Sequence, residues 1–210
     1  MSYKFLSLIN PLFIYTLLFS KILSEKLDTS KINSVLLSQH NKYRKMHGVP
    51  ELILDNELIK LASDYSAALA YKEDKYAVSP SGSQNKKKEN LGENIYTCTS
   101  ILKPYCYDIE STKPVDEWYN EIKYYNFSEP GFSLDTARFT QIIWKETTKM
   151  GCGASVKDDG VTFKVVCNYY KPGNVINKKK FEENVLPNQG IYMINRGYFF
   201  SIIFILILLL

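Results

Sequence analysis

The chain has 210 residues, of which 45% are hydrophobic, 14% aromatic and 23% charged, a balance that suits one buried core and excludes disordered and collagen-like chains. Its formal net charge of +4 falls to about +2 without Lys4 and Lys21 of an apolar N-terminal run, too weak a field to argue for nucleic acid. Only two histidines occur, His40 and His47, so any metal site or catalytic base that needs imidazole must draw on that short stretch.

Residues 1–24 read as a secretory signal peptide. Lys4 precedes an apolar stretch from Phe5 to Leu23, and the small residue Ser24 precedes polar Glu25-Lys26. An uncleaved anchor is the alternative. Ile32, Val35, Leu36, Tyr43 and Met46 then recur at helical steps. After Gly48-Val49-Pro50 a second helix opens behind Asp55, with Leu58, Leu61, Ala62, Tyr65 and Leu69 on one face. Lys72 to Glu89 form a polar loop, and its Lys86-Lys87-Lys88 run reads as solvated. Leu91 to Thr97 is strand-like. A third helix opens at Pro114 and carries Val115, Trp118, Tyr119, Ile122 and Tyr125; a fourth carries Phe139, Ile142 and Ile143. Gly151 to Val156 and Val161 to Tyr169 form a hairpin around Asp159-Gly160. After Asn174 the chain is polar and lysine-rich, including Lys178-Lys179-Lys180, and is expected to wrap the surface. Helices, a strand, further helices and a hairpin in this order argue for an α+β domain with helices covering an antiparallel sheet.

Residues 188–197 read as a polar spacer and residues 198–210 as an apolar tail. Thirteen helical residues span roughly 20 Å against a hydrocarbon core of about 30 Å. The tail is therefore read as a lipid-anchor (GPI-type) signal with attachment near Asn188 or Gly190, or as a short membrane anchor. Both place the protein on the outer face of the plasma membrane, and simple secretion is the remaining alternative. Four cysteines suit that oxidising compartment and allow three pairings. The hairpin register sets Cys152 opposite Cys167, as a hydrogen-bonded pair if the turn is an ideal two-residue one. Cys98 and Cys106 are left to close a short loop. Neither pair has the spacing of a structural zinc knuckle. Asn126-Phe127-Ser128 is the one glycosylation sequon.

Ala137-Arg-Phe-Thr-Gln-Ile-Ile-Trp-Lys-Glu-Thr147 and Val165-Val-Cys-Asn-Tyr-Tyr-Lys-Pro-Gly-Asn-Val175 resemble the two signatures of the CAP superfamily, the cysteine-rich secretory, antigen 5 and pathogenesis-related 1 proteins. Gly92-Glu93-Asn94, Trp118-Tyr-Asn-Glu121-Ile and His40-Asn41-Lys-Tyr43-Arg44 match its shorter motifs. The likeness covers residues 30–187 and is nearest to fungal secreted and nematode venom-allergen-like members. It implies a three-layer α-β-α sandwich. It also implies a shallow cleft in which many members hold two histidines and two glutamates, several of them binding a divalent metal. Here Glu93 and Glu121 keep the acidic pair, Arg138 replaces one histidine, and no histidine follows His47 to supply the other. Arginine stays protonated and offers no lone pair, so no metal and no cofactor are expected. The expectation is that Arg138 bridges Glu93 and Glu121, with Gln141 one turn on facing the same cleft. The alternative is that these residues tie the helices to the sheet. His40 is expected to be structural, and His47 to end its helix, where a positive charge suits the dipole.

Without a cleft histidine, and with a glutamate held by arginine, an enzyme is not expected; the enzymatic alternative is a hydrolase using Glu93 and Glu121. The resemblance to sterol-binding fungal members points instead to the segment Ile95 to Lys113, where Tyr96, Ile101, Leu102, Tyr105 and Tyr107 would receive a sterol or other small lipid and a Cys98–Cys106 bond would pin the loop. The second class is an extracellular module that binds another protein, with the lysine runs, the sequon and the anchor suiting display at a surface.

Overall fold

The computed structural model describes residues 28–71, 85–100, 111–157 and 161–189. The leader, most of the tail region and Cys106, Ile101, Leu102, Tyr105 and Tyr107 lie outside them. Helix α1 spans Thr29–Met46, and Asp28 caps it by accepting from the Ser30 and Lys31 amides. The short strand β1 is Ile53–Leu54. Helix α2 is Asn56–Tyr71, capped as its sequence suggests by Asp55, which accepts from Glu57 and Leu58. Strand β2 is Gly92–Thr99. Helix α3, Lys113–Tyr119, carries Pro114 in its first turn, tightens into a 3-10 turn over Asn120–Tyr124, and is followed by α4 at Ala137–Ile143. Strands β3, Lys149–Val156, and β4, Thr162–Tyr170, form the hairpin, and α5 is Lys178–Asn184.

The strands make one sheet in the order β1-β3-β4-β2, antiparallel except for the β1/β3 pair. Alternation along the strands divides the core into two layers. Met150, Cys152, Val165, Cys167, Tyr169 and Tyr96 face α1, α3 and α4, where Trp118, Phe139, Ile142 and Trp144 fill the larger core. Val166 and Ile95 face α2 and meet Ala62 and Leu69. Helix α2 lies flush on β3, since a Cβ at Gly151 would strike the backbone at Leu58 and Ile59, and one at Gly153 the backbone at Ser63. Only glycine permits that approach. The mixed α+β class and helices on both faces of the sheet match expectation.

Three local expectations are corrected. Residues 178–184 are helical rather than a wrapping loop. Asn177 caps α5 by accepting from Lys180 N–H, and Phe181 packs edge-on against Trp144 at 5.1 Å between ring centroids. One buried aromatic in a lysine-rich run carries too little periodicity to announce a helix. The two-residue strand β1 went unpredicted because it is too short to show alternation. The expected register does pair Cys152 with Cys167, and they are disulfide-bonded, but as a non-hydrogen-bonded pair with Cα atoms 4.1 Å apart. Lys157 N–H bonds Thr162 O, which sets this phase, while the expected turn residues Asp159-Gly160 lie outside the described residues; the Cys152 amide and carbonyl turn instead to the Asn33 side chain. Asn33 thereby covers the edge of β3 beyond the end of β1. Cys98 is also disulfide-bonded.

Candidate functional site

The polar residues of α1 are spent inside the larger core. Arg44 is fully buried and, among the described residues, pairs with no carboxylate. Its guanidinium donates to the carbonyls of Pro50, Ile142, Trp144 and Thr147 at 2.7 to 2.9 Å. Two of these acceptors lie at the C-terminal end of α4, where the helix leaves carbonyls without intrahelical partners and carries partial negative charge. Burial pushes the Arg44 pKa down to about 10, so the group remains charged at neutral pH.

Both imidazoles are fastened in the same way. His40 Nδ1 donates to the Leu36 carbonyl at 2.7 Å, and its Nε2 accepts from the Tyr169 hydroxyl at 2.8 Å, which in turn accepts from Asn94. His47 Nδ1 donates to the Leu186 carbonyl, and its Nε2 accepts from the Tyr119 hydroxyl at 2.9 Å. Each ring is held neutral as one tautomer between a carbonyl and a tyrosine. Burial lowers the His40 pKa to about 4 and also depresses that of His47. His40 is structural, as expected. The expected charge on His47 is corrected, because the ring is buried behind Tyr119 and Phe139 and its donor is consumed by a carbonyl.

Glu121 sits in the 3-10 turn, whose tighter winding aims it inward at the start of α4. One carboxylate oxygen accepts from the amides of Arg138 and Phe139 at 3.0 and 3.2 Å, and the other accepts from Arg138 Nε. A residue 17 positions earlier than Arg138 therefore caps α4, whose own N-cap residue, Thr136, makes no side-chain capping bond. The Glu121 side chain is 8% exposed and that of Arg138 51% exposed, so the ion pair has one buried end and one wet end.

The other half of the expected bridge differs. Strand alternation turns Glu93 to the side of β2 that carries Ile95, toward α2, and its charge reaches Tyr65, whose hydroxyl pKa is raised mainly by burial and further by Glu93. Gln141 is 2% exposed and faces inward, accepting from Gly173 N–H at 2.8 Å and donating to the Thr147 hydroxyl at 3.2 Å. It joins α4 to the segment after β4 instead of lining a cleft, because one turn along so short a helix already leads into the core.

An open cleft of about 490 Å³ lies beside Arg138, between β2 and the α3/3-10 segment. Ile95, Tyr96, Thr97, Glu117, Trp118, Asn120, Glu121, Lys123, Tyr124 and Arg138 line it. Tyr96, expected as an exposed lipid contact, is only 7% exposed and belongs to the core; burial, and then the charge of Glu117, push its hydroxyl up to about 12. Lys123 and Tyr124 escaped the sequence reading, although an exposed aromatic beside a lysine just after Glu121 is a usable signal. Lys123 Nζ lies 4.8 Å from the Tyr124 ring centroid, and Tyr124 is 65% exposed. At the sequon, Asn126 and Ser128 are exposed while Phe127 packs inward near His47 and Phe139.

Residues 37–169 match the model of the Cysteine-rich secretory protein family, CAP. Among curated proteins, the chain is 41% identical over 159 residues to the Golgi-associated plant pathogenesis-related protein 1 of Homo sapiens, covering 76% of this chain and 95% of that one. It is 32% identical over 158 residues to the Repressed by EFG1 protein 1 of Candida albicans, covering 72% of this chain and about half, 52%, of the relative. The solved structure of BmVAL-1 aligns with a TM-score of 0.58 at 21% identity, over 72% of this chain and 82% of that one, a likeness of fold. The expected fungal and nematode-like resemblance is thus joined by a human one.

Proposed function

The chain belongs to the cysteine-rich secretory protein family, and on that premise we propose that it is an exported, non-catalytic binding protein. The observation that carries this reading is the disposal of its acid–base groups. Both imidazoles are sealed between a carbonyl and a tyrosine, and Glu121 is occupied by two amides and a guanidinium. Neither arrangement leaves a lone pair facing a substrate, which general base catalysis requires. The hydrolase alternative is disfavoured by the same geometry, since Glu93 faces the α2 layer and Glu121 the start of α4.

A divalent metal of the kind the family resemblance implies does not fit these residues. Arg138 already neutralises Glu121 from the position a histidine ligand would need, and His40 and His47 point into the core. The ligand we propose is a sterol or other small lipid held by the segment from Ile95 to Lys113. Support comes from its apolar residues and from the disulfide at Cys98, which ties the end of β2. Export by residues 1–24, display on the outer membrane face through residues 198–210 and glycosylation at exposed Asn126 complete the proposal.

The test uses the full chain expressed in a secretory host. Organic extraction and mass spectrometry should recover a stoichiometric small lipid, calorimetric titration with zinc should give no micromolar binding, and ester, glycoside and peptide substrates should remain intact. Turnover that disappears in Glu121→Gln would overturn the non-catalytic reading. Zinc binding lost in a Glu93→Ala, Glu121→Ala double variant would overturn the metal-free one, and lipid-free protein would remove the lipid.

A further inference from the structure

Among the described residues strand β2 ends the sheet, and no further strand pairs with its outer edge. Hydrogen bonds from Lys157 N–H to Thr162 O and from Ser100 N–H to Val161 O set the phase of the ladders. In that phase Asn94, Tyr96 and Cys98 turn their backbone groups toward β4, whereas Ile95, Thr97 and Thr99 turn theirs outward. Trp118 marks the same phase independently, its indole N–H donating to the outward Ile95 carbonyl at 3.2 Å. Among the described residues, nothing bonds the outward N–H and C=O groups of Thr97 and Thr99, and both threonines are exposed. Native edges are usually guarded by lysine, proline or a bulge, and Thr97-Cys98-Thr99 has none of these.

The cleft runs along this edge and carries charge at one end. Glu121 holds Arg138 through Nε, which fixes the plane of the guanidinium. Among the described residues neither Nη group makes a hydrogen bond, and half of the side chain is exposed. The two Nη groups are a fork that fits a carboxylate. Lys123 lines the same end; Glu117, farther along, lies 3.8 Å from Lys113, and the Glu121 carboxylate is already spent on α4 and Arg138.

We propose that the outer edge of β2 binds an extended, acidic peptide segment by strand addition, its backbone pairing with Thr97 and Thr99 and a carboxylate resting on Arg138. Alternating donors and acceptors at strand spacing recognise a polypeptide backbone. One oriented guanidinium selects a carboxylate over a neutral amide. Thr97 and Thr99 lie within the Ile95–Lys113 segment, but strand addition rests on their outward backbone groups and on Arg138 and does not depend on a bound lipid.

The full chain, labelled with ¹⁵N, is titrated with a millimolar mixture of hexapeptides of Val, Thr and Tyr with Glu fixed at the third position. A second mixture carries Gln there, and a third keeps Glu but is N-methylated at alternate backbone nitrogens. The Glu mixture should shift and slow the exchange of the Thr97 and Thr99 amides and shift Arg138 Nε–H, with half-saturation at least about fivefold below the Gln mixture. The methylated mixture should do neither. Arg138→Gln should erase the Glu preference while the threonine shifts persist. Equal response to Glu and Gln by the unaltered chain overturns the carboxylate contact. Absence of threonine shifts overturns the site. Slow exchange of those amides in the free protein does so too, because the edge would then be held by the chain itself or by a second copy. Lipid extraction is read separately, so the two proposals fail independently.

Discussion

The two faces of the sheet are built on opposite principles. On the α2 face the contact is close backbone packing: Gly151 and Gly153 admit the helix, and small or branched apolar residues such as Ala62, Leu69 and Val166 complete it. On the other face buried polar side chains join the sheet, helices and loops, with Arg44, His40, His47, Asn94 and Gln141 each bonding two or more elements or segments. The lesson is that polar residues gathered in one place need not form a reactive site. Here nearly all of them are fasteners, whereas Arg138, half in water, keeps two Nη groups without a hydrogen bond among the described residues.

If that contrast is right, Arg44→Leu should be the most damaging single change, costing about 4 kcal/mol in denaturant unfolding, since it strands four buried carbonyls. On the opposite face Gly153→Val should cost about 3 kcal/mol by forcing α2 off β3. A smaller loss there would show that the helix is less tightly seated than the geometry implies.

The imidazole relays predict an acid sensitivity confined to the polar face. His40 has a folded pKa of about 4 against 6.5 when unfolded, so below pH 6.5 the unfolded chain binds the extra proton. Its contribution is complete above pH 6.5 and should fall by about 3 kcal/mol as pH drops to 4, with His47 adding in the same direction. Unfolding midpoints measured from pH 8 to 4 should show this loss, and His40→Gln should flatten it. A pH profile unchanged by that substitution would break the relay account.

Glu121→Ala should cost about 2 kcal/mol, mostly through loss of the α4 cap. Arg138→Gln should change stability by no more than about 0.5 kcal/mol, because its end of the pair is wet. Comparing the two variants by thermal unfolding separates capping from charge pairing; equal effects would mean that the ion pair, not the cap, holds α4.

Much of the architecture was legible because long amphipathic segments and turn chemistry are local. Asp55, Pro114 and the β3/β4 register each fall where the sequence puts them. The site was legible only in part. The replacement of an imidazole by Arg138 can be read residue by residue, whereas the partners of Glu93 and Gln141 depend on which side of a strand or helix meets the core. A spacing rule for a four-residue helix turn could not foresee that α4 is short enough for Gln141 to plunge inward.

By itself, then, the sequence determined the family, the layered α+β class, the pairing of Cys152 with Cys167 and the presence of a guanidinium at Arg138, where the family resemblance implies imidazole. Those properties rest on residue identity and short-range periodicity. Tertiary structure alone decided that Glu121 caps a helix 17 residues on, that both histidines are neutral fasteners and that, among the described residues, the outward backbone of Thr97 and Thr99 has no partner beside Arg138. Hydrogen-bond partners across the core and the phase of a strand ladder are set by how distant segments dock, which no local pattern encodes.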